Sequence, residues 1–394
     1  MLSITIFDSI GKTSGVELAI SPWIPGRMDK FELNQDSCRL RQSRLLDWIR
    51  ENDLAGVAVT QNPHVQWLSG VYFPPMFAAA AFLSAEGVLT LVAPHKIPAD
   101  HAADEVDRYE AKWHSTMRND QAEACITRLF EMTGKPAGRI GVEFSTFGPT
   151  AQELLGTDLL NAEPQLYYLR RRKETDELAS IEHAIAATEK MYERARSIIR
   201  PGISEIEVFN ELQAVAVEHF GEPLTGTGND YQCNSRGGPP RDGKTARAGE
   251  LYILDLGPAF RGFYADNART LAVTQPDDQQ QLAWNWIMKA FEHVESSVKP
   301  GKSCQELFRE TQAILDESPV GIFNHHLGHG IGMFPHEAPH LNPNWNDTFE
   351  AGDVFTAEPG LYDAERLRAG MRIENDYLVT ETGVRKLTLF GTEL

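Results

Sequence analysis

Four carboxylates fall in two pairs that their spacing can bring face to face. The first pair, Asp255 and Asp266, flanks the Gly/Pro-rich stretch 257–262 between two apolar runs, a pattern that predicts a β-hairpin. Opposed residues in an antiparallel pair have a constant index sum, and the midpoint of these two, 260.5, lies inside the turn. Either aspartate alone is typical of a strand-end turn or a helix cap. Two adjacent carboxylates repel, so the pair predicts a cation or a shared proton.

The second pair, Glu358 and Glu374, repeats this layout near the end of the chain. Two strand-like runs, 354–362 and 371–380, flank a polar connection, and the midpoint of the two glutamates, residue 366, lies within that connection. We therefore expect a second hairpin that opposes two further carboxylates.

Histidines are concentrated between the two pairs. Five of the 12 histidines fall within the 16 residues 325–340. A single histidine is usually a satisfied polar residue, but this density favours a functional role. The segment contains H-E-x-x-H at 336–340, yet Pro339 is incompatible with the helix that a zincin needs, so we exclude a zincin.

Carboxylates combined with imidazole suit a hard or borderline divalent ion. Four carboxylates carry a charge of about −4. Two divalent ions would neutralise this charge, whereas one would leave about −2, and an uncompensated buried charge is costly. This balance favours a two-metal site, which can polarise a carbonyl and activate water.

The elements that must position these residues follow two patterns. The first third alternates short apolar strands with helices and predicts an α/β layer domain; the segments are helices 41–52 and 119–133 and strands 54–60, 80–84, 88–93 and 139–142. A long helix with one apolar stripe begins near residue 174 and ends at Pro201-Gly202. We place the domain boundary just before it, giving domains 1–168 and 169–394.

The second domain contains an internal repeat. Residues 201–209 resemble 300–308, an offset of 99 residues, and both copies have a Pro-Gly break followed by Ser-x-x-Glu. That pattern predicts capping boxes, with Ser204 and Ser303 as caps and Glu207 and Glu306 reaching back. Two similar halves would leave a cleft between them, although coincidence remains the alternative interpretation.

Composition limits the classes of partner. The formal charge is −19, from 37 Lys and Arg against 56 Asp and Glu, which argues against nucleic acid or an anionic membrane as a partner. Residues 1–15 lack the pattern of a signal peptide. Four widely spaced cysteines argue against a disulfide framework. We expect a cytoplasmic protein without a membrane span.

These motifs resemble the pita-bread metallopeptidases, a family that includes aminopeptidase P, prolidase, methionine aminopeptidase and creatinase. The resemblance covers about residues 168–394, and the part before it is more weakly similar to the N-terminal domain of the creatinase and aminopeptidase P branch. It implies an α/β (α+β) fold with a creatinase-like N-terminal domain and a pita-bread domain of two pseudo-symmetric halves. The matching motifs, in family order, are D-x-G at 255–257, Y…D-x-x-R-T at 264–270 with Asp266 one residue closer to Tyr264 than in the family, H-x-x-G-H-G-x-G…H-E-x-P at 325–339, E-P-G-x-Y at 358–362 and R-x-E at 372–374.

The resemblance also implies roles for individual residues. Two divalent ions (manganese, cobalt, zinc or iron) would be held by Asp255, Asp266, His329, Glu358 and Glu374, with Asp266 and Glu374 shared between them. A bridging hydroxide would attack the substrate carbonyl, Glu358 would act as general base, and His336 and His325 would bind substrate. Arg372 would hydrogen-bond a ligand carboxylate, and Tyr264, which begins the motif that contains Asp266, would contact a ligand residue or the substrate. The family further implies a homodimer.

One position departs from the family pattern. Its peptidases carry a substrate-contacting histidine 17 residues before the first aspartate, and here that position is Gly238. Arg236 or Arg241 is a candidate replacement because guanidinium binds carboxylates and carbonyls. Both can equally be solvated loop residues.

Three functions compete. The leading one is a metal-dependent hydrolase of C–N bonds that acts on an Xaa-Pro dipeptide or peptide N-terminus. The alternative, favoured by Gly238, is a hydrolase or lyase of a small non-peptide metabolite. The third, a non-catalytic binding module, is disfavoured because the complete ligand set is present.

Overall fold

The N-terminal part of the chain forms one mixed β-sheet covered by helices. The computed structural model of the protein describes residues 33–146, 152–154, 156 and 158–394; the stretch 1–15, assessed above for a signal peptide, lies outside them. The helices are α1 Gln35–Glu51, α2 Asn62–Ser69, α3 Gln121–Thr133 and α4 Glu163–Arg171. The strands are β1 Gly56–Val59, β2 Ala80–Ser84, β3 Leu89–Ala93, β4 Glu105–Arg108, β5 Lys112–Trp113, β6 Thr116–Met117, β7 Ile140–Val142 and β8 Leu159–Asn161.

The sheet order is β4-β3-β2-β1-β7-β8. Strands β1, β2 and β3 are almost entirely buried, as expected for apolar runs covered on both faces. The predicted α/β layer is therefore confirmed. Helix α2 was not predicted, because it has only eight residues and its first turn contains Pro63.

The described C-terminal part contains two helix pairs, two larger antiparallel sheets and two separate two-stranded hairpins. Its helices are α5 Thr175–Ile198, α6 Glu205–Phe220, α7 Asp278–Ser297 and α8 Cys304–Asp316. Its strands are β9 Asp230–Cys233, β10 Leu251–Leu256, β11 Ala259–Phe260, β12 Phe263–Tyr264, β13 Asn267–Ala272, β14 Gly328–Gly330, β15 Glu337–Leu341, β16 Val354–Ala357, β17 Gly360–Asp363, β18 Ala369–Arg372, β19 Asn375–Val379 and β20 Val384–Lys386.

Each half packs one helix pair on one sheet. Helices α5 and α6 share a core with the sheet β13-β10-β9, and α7 and α8 share one with the sheet β15-β14-β16-β19-β20. This confirms the two related halves that the repeat predicts. Among the described residues, no helix combines the length and apolar character that crossing a bilayer requires.

The two predicted capping boxes form only in part. Ser204 accepts a hydrogen bond from the backbone N–H of Glu207 at 3.0 Å, and Ser303 accepts one from Glu306 at 3.3 Å. The glutamate side chains face basic neighbours instead, with Lys302 lying 3.7 Å from Glu306. Competition from nearby cations explains why the return bonds to the caps are replaced.

The predicted boundary at residue 168 falls inside helix α4. Domain boundaries normally lie in exposed connections rather than within helices. We therefore propose that the boundary follows α4, at residues 172–174.

A buried ion pair connects α1 with the start of α5. The Arg41 guanidinium donates to Asp176 Oδ1 at 2.9 Å and to Glu177 Oε2 at 3.2 Å, and these side chains are at most 2% exposed. One turn away, Arg44 pairs with Glu174 at 2.8 Å, but both side chains reach solvent. Both pairs connect α1 with the start of α5, but the Arg41 pair is buried and the Arg44 pair is in contact with water.

Replacing Arg41 should therefore destabilise the fold far more than replacing Arg44. Arg41→Met leaves two buried carboxylates unpaired, and we expect a loss of about 3–5 kcal/mol in the free energy of unfolding. Arg44→Met should cost at most about 1 kcal/mol. Urea denaturation measures both variants, and equal losses would show that burial does not set the strength of the Arg41 pair.

Candidate metal centre

The first hairpin brings Asp255 and Asp266 together diagonally rather than as direct partners. Strands β10 and β13 pair with Asp255 opposite Ala268, so the register is two residues away from the predicted one. The short hairpin β11–β12 continues that same register inside the turn. The oxygens of both aspartates nevertheless lie within 4.8 Å of one another and of Glu374. The predicted proximity is correct, and the predicted pairing is wrong.

The second hairpin has the predicted register. Val354 pairs with Leu378 on one side of the site, and Gly360 pairs with Arg372 on the other. Glu358 and Glu374 lie between these pairs, directly opposite each other. The hairpin prediction for this half is confirmed.

His329 adds an imidazole nitrogen to the carboxylate oxygens as a potential metal ligand. It lies on β14, which pairs with β16. Its Nδ1 is 3.0 Å from the Gly330 carbonyl and must donate to it, because a carbonyl only accepts. The unprotonated Nε2 then faces Glu358 Oε1 at 3.6 Å and Asp266 Oδ2 at 3.7 Å. This tautomer is the one that binds a metal ion.

The cluster has acceptors without donors. Within the described part of the chain, Asp255 Oδ1 and both carboxylate oxygens of Glu374 are buried without a hydrogen-bond partner. Burial raises the pKa of Glu374 well above its usual range, and the neighbouring Asp266 raises it further. Burial followed by Asp255 does the same to the pKa of Asp266. A divalent cation would satisfy these oxygens and displace the protons, so the residues fit such an ion.

Arg372 lies behind the cluster. Its guanidinium donates to Asp255 Oδ2 at 2.8 Å and lies 3.9 Å from Glu358 Oε2. It also lies 3.3 Å from the Tyr362 hydroxyl. This guanidinium fixes one oxygen of Asp255 and leaves the other free.

The other predicted histidines differ in their surroundings. His336 is exposed, and its ring stacks on His329 at 3.7 Å between centroids. His325 is engaged at both nitrogens, with the His326 carbonyl at 2.8 Å and the Tyr362 hydroxyl at 3.0 Å. Burial lowers the pKa of His325 to about 4. His325 is therefore neutral at physiological pH.

His326 was missed in the sequence, because nothing in its spacing separates it from His325. Its Nε2 lies 2.7 Å from Glu358 Oε1. Burial acts to raise the pKa of Glu358, but the hydrogen bond and charge of His326 together with the charges of His329 and Arg372 outweigh burial, and the pKa falls to about 2. Glu358 is thus held ionised.

Tyr264, Arg236 and Arg241 lie outside the carboxylate cluster. The Tyr264 ring is half-buried and joins the core shared with the N-terminal part. Arg241 is committed to Glu205, to which it donates two bonds of 2.6 and 3.0 Å. Arg236 stacks over the Tyr362 ring, 4.2 Å from its centroid. Of the two arginines, only Arg236 lies beside residues that surround the site.

Gly238 lies in a turn that excludes a side chain. Its φ is +127°, and a Cβ there would lie 2.8 Å from the Gln232 amide. A histidine at this position would be strained in the present backbone. The departure from the family pattern is therefore built into the local conformation.

A buried ionic network holds the segment that carries His336. The adjacent Glu337 accepts from Lys173 at 3.0 Å and pairs with Arg170. Arg170 also donates to His64 Nε2 at 3.0 Å, and the other ring nitrogen of His64 bonds to Glu143, directly after strand β7. These contacts were not predictable from local pattern because they join residues more than 70 positions apart.

Comparisons with known proteins identify relatives of this chain. The curated relatives include an uncharacterized peptidase of Staphylococcus epidermidis, 32% identical over 227 residues, 56% of this chain and 64% of the relative. An uncharacterized peptidase of Bacillus subtilis is 30% identical over 265 residues, 65% of this chain and 74% of the relative. This chain thus spans slightly less than two thirds of the length of the first relative.

Solved structures share the fold. A prolidase from Pyrococcus furiosus matches with a TM-score of 0.71 at 22% identity, covering 88% of this chain and 99% of that one. An Xaa-Pro dipeptidase from Bacillus anthracis matches with a TM-score of 0.75 at 23% identity, covering 91% and 99%. At such low identity these likenesses concern the fold alone.

Family models cover both parts of the chain. The model of the creatinase/prolidase N-terminal domain matches residues 41–172. The model of metallopeptidase family M24 matches residues 179–381, more than half of the chain. The chain therefore belongs to metallopeptidase family M24.

Proposed function

We propose that this protein is a metal-dependent hydrolase that cuts a C–N bond next to a carbonyl, with two divalent ions and an Xaa-Pro dipeptide or peptide N-terminus as substrate. The observation that carries the proposal is the convergence of five potential ligands, with three buried carboxylate oxygens of Asp255 and Glu374 that lack a donor among the described residues. They are Asp255, Asp266, His329, Glu358 and Glu374. Family membership and the prolidases that share the fold support the choice of substrate.

The five residues divide into two overlapping groups. Asp255 would hold one ion, and His329 with Glu358 would hold the other. Asp266 and Glu374 would be shared, in keeping with their contacts to both groups. When bound, the ions supply Lewis acidity that polarises the carbonyl and makes water a stronger nucleophile at neutral pH.

The surrounding residues would orient substrate and move protons. Glu358 is ionised and lies beside His326 and His329, and the family resemblance assigns it the role of general base. The exposed ring of His336, stacked on His329, can donate to a substrate carbonyl oxygen. His325 can contact substrate from the Tyr362 side of the site.

The remaining details of the proposal come from the chemistry of the donors and from family resemblance. Mixed oxygen and nitrogen donors suit manganese, cobalt, zinc or iron. A cytoplasmic location and a homodimer stay predictions. Nucleic acid is not proposed as a partner, in view of the net charge of −19.

Gly238 favours a second candidate function. Position 238 is a glycine with positive φ, and the resemblance therefore implies that the site lacks the histidine that peptidases of the family place beside the substrate. A small non-peptide metabolite, cleaved by hydrolysis or by a lyase reaction, is the corresponding substrate class. A non-catalytic binding module is disfavoured because the complete ligand set is retained.

Removing a shared ligand should abolish metal binding and turnover together. We expect Asp266→Ala and Glu374→Ala to lose more activity than the roughly 10–100-fold that loss of an outer-shell partner costs. Metal analysis by mass spectrometry and hydrolysis assays of manganese-, cobalt- and zinc-loaded protein measure both effects. The control is Asp353→Asn, a buried carboxylate that pairs with Arg171 outside the cluster. Full turnover by either alanine variant would contradict the assigned mechanism.

A substrate panel separates the two candidate functions. We expect metal-loaded protein to release proline from Xaa-Pro dipeptides, with the Asp266→Ala variant as blank. Turnover confined to small amides or osmolytes would replace the peptidase proposal with the second candidate. The reverse substitution, Gly238→His, is a poor test because the positive φ and the Gln232 contact would strain the turn.

A further inference from the structure

One buried carboxylate at the site has no part in the proposed reaction. Asp230 lies on β9, is 9% exposed, and pairs in register with Asp255 on β10. Directly opposed residues of antiparallel strands project from the same face of the sheet. Asp230 therefore lies on the same face of the sheet as Asp255, on the edge strand β9.

Arg372 is shared between these two aspartates. The same guanidinium nitrogen contacts Asp230 Oδ2 and donates to Asp255 Oδ2 at 2.8 Å. Asp255 Oδ1 has no partner among the described residues. One oxygen of Asp255 is thus oriented by the arginine, while the other is available to a cation.

The sharing of Arg372 changes the charge balance of the site. The positive charge of Arg372 offsets part of the charge of the ligand carboxylates, and the carboxylate of Asp230 offsets Arg372 in turn, so that more negative charge stays available to divalent ions. Without Asp230, Asp255 would be the closest anion left to the guanidinium. A tighter pair between Arg372 and Asp255 would compete with metal binding.

The other oxygen of Asp230 closes the turn that replaces the family histidine. Asp230 Oδ1 accepts the Gly238 backbone N–H at 2.6 Å, and a Cβ on Gly237 would lie 2.2 Å from this carboxylate. Both glycines have positive φ. The Asp230 side chain therefore holds both the Arg372 guanidinium and the turn at Gly238.

We propose that Asp230 is a positioning residue of the metal centre: it shares Arg372 with Asp255, so that Asp255 stays available to the metal. The inference rests on the proposed two-metal function. It assigns a role to a residue outside the family motifs.

The test is a metal titration of the full-length protein. Asp230→Asn keeps the size of the side chain and an acceptor for the Gly238 N–H, but removes the charge. We expect its affinity for Mn²⁺, measured by isothermal titration calorimetry of metal-free protein, to fall 10–100-fold. The matched control is Glu205→Gln, a buried carboxylate that pairs with Arg241 and accepts backbone N–H groups from the same segment. Its Mn²⁺ affinity should equal that of the wild type.

A double-mutant cycle tests the route through Arg372. In an Arg372→Met background, Asp230→Asn should change the affinity by less than about twofold, because the shared partner is gone. If Asp230→Asn fails to fold, Arg372→Lys is the second variant; its single ammonium lacks the planar fork that contacts Asp230, Asp255 and Tyr362 together, and affinity should again fall about tenfold or more.

The outcomes are separable. Unchanged affinity in the folded Asp230→Asn variant, or full additivity in the cycle, would overturn the role of Asp230 while leaving the two-metal proposal intact. A wild-type protein that binds no Mn²⁺, Co²⁺ or Zn²⁺ would overturn both.

Discussion

Burial of like charges is the constraint that shapes this site. Asp255, Asp266, Glu358 and Glu374 lie in one region with little access to water. Carboxylates in such surroundings either hold protons or bind cations. The raised pKa of Asp266 and Glu374 and the unpartnered oxygens of Glu374 express this constraint directly. The histidines and Arg372 contact these carboxylates and so influence their charge.

The fold meets the constraint by supplying rigid elements from both halves. Two hairpins carry the carboxylates, and a strand beside the second hairpin carries His329. The N-terminal part contributes too, through Arg170 on α4, the last helix before the C-terminal part. Its contacts with Glu337 and His64 connect the segment that carries His336 to the N-terminal part. Such outer contacts set how accurately a site can be held.

How much of this was predictable depended on the range of each interaction. Glu358 and Glu374 were placed correctly because the two ladders on either side of them keep the same register. Asp255 and Asp266 were paired two residues out of register, since a Gly/Pro-rich turn does not reveal where its own short hairpin pairs.

Other site residues had no local pattern at all. His326 adjoins a histidine that matches the family motif, and Asp230 is a single acid on a short strand. The function of each depends on partners far along the chain, Glu358 and Arg372. Hydrophobic periodicity and motif spacing do not encode such contacts.

The most direct measurement is anomalous diffraction from crystals grown with manganese or zinc. The account predicts two peaks per chain, both within about 2.0–2.6 Å of oxygens of Asp266 and Glu374. One peak should also contact Asp255, and the other His329 and Glu358. No peak at this cluster, or a single peak at full occupancy, would contradict the two-metal centre.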